Sequence, residues 1–116
     1  MKHLKGIIYL VIFVGFALTG CEKIEVPGGT PKCIKTKIRQ EKKENCLESV
    51  YSYDYNGQTV YLFVYPCPEG CYMLLDEDCN AVTDNQGKAV CSCIWGGKCS
   101  DDLYKNRSNE KLVWKK

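Results

Sequence analysis

The chain has 116 residues, with nine cysteines and one histidine, and its 16 basic and 14 acidic side chains give a formal net charge of +2. That length holds one small domain, and a nearly neutral total without a concentrated basic run excludes a nucleic-acid partner. The lone histidine, His3, stands in an N-terminal leader, so a chain processed beyond it holds no Ser/His/Asp set, Cys–His nucleophile pair or mixed Cys/His zinc site.

Met1 to Lys5 is a short basic start, and Gly6 to Leu18 is a run of thirteen uncharged residues. A membrane-spanning helix needs ~20 apolar residues, whereas this length suits the core of a cleaved signal. Leu18-Thr19-Gly20-Cys21 closes it in the manner of a bacterial lipoprotein signal and predicts lipid attachment, palmitate included, at Cys21. The parity of the cysteines agrees. Nine would strand one thiol, but with Cys21 on lipid eight remain for four disulfides of open pairing: Cys33, Cys46, Cys67, Cys71, Cys79, Cys91, Cys93 and Cys99. The expected organisation is a signal over 1–20, a lipid-proximal tether over 21–29 and one cysteine-rich domain over 30–116. Its expected place is the bacterial cell envelope, outer membrane before inner, with the domain outside the cytoplasm.

Pro27-Gly28-Gly29 ends the tether with turn residues. Thr30-Pro31 reads as a helix start, Thr as N-cap and Pro at the first helical position. Ile34 and Ile38 make a narrow apolar stripe on a helix predicted over 31–43, with Cys33 bridging its first turn. Asn56-Gly57 signals a type I′ hairpin between Ser49–Tyr55 and Gln58–Tyr65. Its register pairs Tyr55 with Gln58, Tyr53 with Val60 and Tyr51 with Leu62. The face holding Val60, Leu62 and Val64 is assigned to the core, with the helix across it. Tyr72–Leu75 reads as a third strand, Lys88–Ile94 as a fourth, Gly96-Gly97 as a turn, Tyr104–Glu110 as a polar loop and Lys111–Trp114 as a closing strand. The fold class is therefore α+β: one N-terminal helix on a small, mostly antiparallel, disulfide-stapled sheet.

Charge is unevenly spread. Residues 22–43 carry seven bases and three acids, 44–102 two bases and ten acids, and 103–116 five bases and one acid. The simplest expectation folds both basic segments over the acidic centre. Cys67, Cys71, Cys91 and Cys93 could make an all-cysteine metal site, but their C-x3-C and C-x-C spacings lack the C-x-x-C of zinc or thioredoxin-type sites, so structural disulfides are expected and no metal or cofactor. Asp76, Asp78, Asn80 and Asp84 fall at positions 1, 3, 5 and 9 of a calcium-loop template, yet Ala81 replaces its glycine and Gly87 its bidentate glutamate, which favours a solvated turn. Asp101-Asp102 reads as turn-capping.

The segments Pro31-Lys32-Cys33-Ile34 with Ile38, Tyr53-x-Tyr55-x-Gly57-x-x-Val60-Tyr61, Leu75-Asp76 with Cys79-Asn80, Gly96-Gly97-x-Cys99-x-Asp101 and Leu112-Val113-Trp114 stand in one order over about residues 31–114. In that order the chain resembles a family of small cysteine-rich Bacteroidota-type lipoproteins and secreted proteins carrying a domain of unknown function. The resemblance implies one helix, a small sheet and a cell-envelope setting, and it implies no activity. The expected function is a lipid-anchored, non-enzymatic binding or structural module, held to the membrane by its lipid and meeting a protein partner at the envelope. The alternatives are a small inhibitor of extracellular proteases, with Pro66–Tyr72 as its inhibitory edge, and an envelope thiol or metal-binding protein.

Overall fold

The computed structural model describes residues 24–44, 46–67, 70–93 and 98–116. The leader, Cys21, the end of the expected fourth strand at Ile94 and the expected Gly96-Gly97 turn lie outside them. The described elements are α1 (Lys32–Glu44), β1 (Ser49–Tyr55), β2 (Gln58–Tyr65), β3 (Cys71–Leu75), α2 (Asp101–Asn106) and β4 (Ser108–Lys115). The strands form one antiparallel sheet in the order β3-β2-β1-β4. This is the α+β arrangement expected, with one addition, the short α2.

The hairpin forms because its turn residues accept the backbone that a two-residue connection demands. Asn56 and Gly57 take φ of 50° and 78°, positive at both central positions. Tyr55 then pairs with Gln58, Tyr53 with Val60 and Tyr51 with Leu62. Register alone does not say where the helix lies, because the hairpin is apolar on both faces. Ile34 and Ile38 of α1, with Leu47, pack on Val50, Tyr61, Phe63, Tyr65 and Leu75. This corrects the expectation that α1 would cover Val60 and Leu62. Those two, with Tyr53, Tyr55 and Leu74, are closed instead by Val82, Val90, Cys91, Cys99 and Leu103. Three layers result: helix, sheet, and a cysteine-rich layer carrying α2. The short connection from α1 into β1 and the Cys33–Cys79 bridge choose the helix's side. Ile34 and Ile38 are fully buried, a stabilisation of ~1.5–3 kcal/mol each.

Three local expectations change. Thr30 does not cap α1: its hydroxyl and its N–H both donate to the Pro27 carbonyl, at 2.7 and 3.2 Å, closing the Pro-Gly-Gly turn. Residues 88–93 do not extend the sheet. They make isolated bridges, Thr83 with Ala89 and Cys91 with Cys99, because their amides are used locally, as in Val90 N–H to the Val82 carbonyl at 2.9 Å. The expected loop at 104–110 is the end of α2 and the start of β4. Leu103, fully buried, pins that helix, and Asp54 pairs with Ser108 to lengthen the strand beyond 111–114. No helix among the described residues is long and apolar enough to cross a membrane.

Candidate functional site

The eight cysteines of the described residues pair as Cys33–Cys79, Cys46–Cys67, Cys71–Cys93 and Cys91–Cys99, with Cα separations of 6.1, 6.3, 4.4 and 3.9 Å. Cys33–Cys79 ties the first turn of α1 to the loop after β3. Cys91–Cys99 joins a non-hydrogen-bonded cross-strand pair, flanked by Ser92 N–H to the Lys98 carbonyl and Ser100 N–H to the Val90 carbonyl. The four residues weighed as a metal set, Cys67, Cys71, Cys91 and Cys93, are divided among three bridges. These disulfides are those of an extracytoplasmic protein.

Two bridges frame an open cleft of about 630 Å³ at the C-terminal end of α1. It is lined by Cys46, Cys67, Cys71 and Cys93, by Met73 and Tyr65, and by Glu41 and Glu44. Its walls are mainly apolar and covalently held, the condition for a preformed small-ligand site. Tyr65 is 7% exposed, and its hydroxyl makes no well-aligned hydrogen bond, with the Glu41 carboxylate as the acceptor facing it. Burial raises its pKa above the ordinary tyrosine value, and the nearby Glu41 carboxylate adds to the rise. Glu41 is 8% exposed and holds Lys37 at 3.4 Å. A readable signal for this cleft stood in the sequence: Glu41 falls three residues after Ile38, on the same stripe as Ile34 and Ile38. The proposed inhibitory edge, Pro66–Tyr72, borders the cleft through Cys67 and Cys71, and its residues 68–69 lie outside the described ones.

On the opposite face a polar cleft of about 600 Å³ is lined by Tyr55, Asn56, Asp84, Asn85, Ser100 and Asp102, among others. Tyr55, Asp84 and Asp102 in its walls bond within the protein. The Tyr55 hydroxyl donates to Asp102, and the other oxygen of that carboxylate accepts from Asn106 at 2.8 Å. Beside it Tyr53 donates to Glu110 at 2.6 Å, and the Arg107 guanidinium lies 4.6 Å from the Tyr53 ring and 4.8 Å from that of Tyr104. Asp102 thus bonds across layers rather than simply capping a turn.

The acidic loop is two side-chain-closed turns. Asp76 Oδ1 accepts the N–H groups of Asp78 and Asn80, each at 2.9 Å. Asp84 Oδ1 accepts those of Gln86 and Lys88, at 2.8 and 3.0 Å. Backbone donors therefore occupy the first and ninth positions of the calcium template. Among the described residues no three metal-ligating side chains converge.

Residues 36–116 match the family model of a domain of unknown function, DUF6970. No curated protein and no solved structure matches the chain.

Proposed function

The chain belongs to the DUF6970 family, and from that premise we propose that it is a lipid-anchored binding module of the bacterial cell envelope, stapled by disulfides and without catalytic activity. Cysteine pairing carries the anchor. The eight described cysteines pair with one another, so none remains for Cys21, the one that closes Leu-Thr-Gly-Cys after an apolar leader. The binding role draws on the cleft beside α1. A rigid, largely apolar wall, a buried hydroxyl facing the Glu41 carboxylate and the more exposed Glu44 suit a ligand with an apolar body and a donor group. Intact mass of the protein from bacterial membranes, before and after reduction, tests the anchor. The expected result is a mass corresponding to acylated Cys21 as N-terminus, with label from palmitate that Cys21→Ser abolishes. An unacylated chain beginning elsewhere would defeat the reading.

The inhibitor reading keeps one supporting feature: Cys67 and Cys71 each carry a bridge, so both ends of the loop between them are held. Slow cleavage there with tight complex formation across a protease panel would favour it. Rapid cleavage, or no complex, would remove it.

A further inference from the structure

We infer that the end of the molecule where α1 and β4 both finish is the face laid against an anionic phospholipid bilayer. The inference rests on the membrane-anchored reading and adds an orientation to it.

The two basic segments pack on elements of the acidic centre, α1 on the sheet and β4 beside β1, and their ends meet. Helix α1 carries Lys32, Lys35, Lys37, Arg39, Lys42 and Lys43 against Glu41 and Glu44. Strand β4 runs antiparallel to β1, so its end lies beside the start of β1, where α1 has just finished. Lys115 pairs with Ser49, and Lys116 N–H donates to the Glu48 carbonyl at 2.9 Å. The two ends enclose a shallow hollow of about 390 Å³ lined by Lys42, Lys43, Leu47, Trp114, Lys115 and Lys116. Four of these six are lysines and none is acidic. Trp114 is half-buried, packed on the apolar cluster beneath α1. Glu44 and Glu48 neighbour the hollow, and the denser acidic groups lie elsewhere. Asp76, Glu77 and Asp78 flank Cys79, which is bridged to the first turn of α1, at the helix's other end. Asp84, Asp101 and Asp102 belong to the layer on the far face of the sheet.

Chain length places the helix layer near the anchor. Ile24 and Val26 pack against the same cluster as Trp114. Cys21 precedes Ile24 by three residues, a reach of at most about 11 Å of extended chain. A lipid at Cys21 therefore holds the helix layer, rather than the acidic cysteine-rich layer, within reach of the headgroups. Lysines with a tryptophan at their centre suit that boundary, since ammonium groups meet anionic headgroups and an indole sits at the interface.

The test is co-sedimentation of residues 22–116, without leader or Cys21, with vesicles of phosphatidylcholine alone or mixed with phosphatidylglycerol. Both apolar clusters and all four disulfides lie within residues 24–116, so this chain keeps every element of the fold. Binding is expected only to vesicles containing phosphatidylglycerol, and it weakens as salt rises. Lys115→Glu/Lys116→Glu is expected to weaken it by about tenfold or more. Lys88→Glu/Lys98→Glu, on the cysteine-rich layer, is expected to leave it nearly unchanged, with unaltered disulfide mass showing that both variants fold. Absence of binding, equal binding to both vesicles, or equal loss in the two variants would overturn the assignment. Preferential capture by a soluble anionic polysaccharide would overturn it too. None of these results touches acylation of Cys21, which palmitate labelling reads separately.

Discussion

At the scale of single residues, Tyr65 is the most informative side chain in the fold. A buried hydroxyl without a partner costs ~1–3 kcal/mol relative to one that is bonded. Tyr65→Phe is therefore expected to raise stability by about 1 kcal/mol in urea unfolding while weakening any ligand seated in the cleft. A loss of stability would mean that the hydroxyl donates to the Glu41 carboxylate beside it. Tyr53 is the contrasting case, since its hydroxyl donates to Glu110 and its ring carries Arg107. Tyr53→Phe keeps the ring and removes the bond, with an expected cost of about 1 kcal/mol by the same measurement. Gly57 marks what a sequence states outright: at φ +78° a side chain is strained, so Gly57→Ala should cost about 1 kcal/mol.

At the scale of elements, the disulfides separate by the length of chain each encloses. Cys33–Cys79 spans 46 residues of sequence and Cys91–Cys99 only 8. The chain-entropy relation assigns the first about 4 kcal/mol and the second about 2.5 kcal/mol. Cys33→Ser/Cys79→Ser should therefore lower the unfolding midpoint more than Cys91→Ser/Cys99→Ser, and hydrogen exchange should show the loss concentrated in α1. Helix α1, the hairpin and β3 were legible in the sequence to within a residue or so, because their signals are local. They are Ile34 and Ile38 at helical spacing, Asn56-Gly57, and the short apolar run at Tyr72–Leu75. The side taken by α1 was not legible. Val50, Tyr61 and Phe63 are as apolar as Val60 and Leu62, so alternation offered two equivalent faces. Lys88–Ile94 read as a strand that would carry Cys91 and Cys93 on one face. Amides of residues 88–93 close a local ladder instead, and two bridges fold them over the sheet.

At the scale of the whole molecule, four tyrosines link stability to alkaline pH. Burial raises the pKa of Tyr53, Tyr61 and Tyr65, and the bond to Asp102 raises that of Tyr55. Each is held neutral in the folded state beyond the unfolded value of 10.0. Above pH ~10 the unfolded chain therefore binds fewer protons than the folded one, and stability falls as pH rises. Denaturant midpoints measured from about pH 8 to about 11 should decline above about 10, with ionisation of these four tyrosines appearing together with unfolding rather than before it. Ionisation of Tyr53, Tyr55, Tyr61 and Tyr65 ahead of unfolding would contradict the burial.

The sequence by itself determined the class of the protein. Nine cysteines with one at the end of an apolar leader, a single histidine in that leader and an Asn-Gly turn between aromatic strands are properties of adjacent or counted residues. Counting and short spacing are enough to read them. Tertiary structure alone decided which cysteine meets which, which face α1 covers, and that the basic ends converge at Trp114 while Tyr65 and Glu41 share a cleft. Each of those brings together residues distant in sequence, and their positions follow from sheet order and layer packing, which no local pattern encodes.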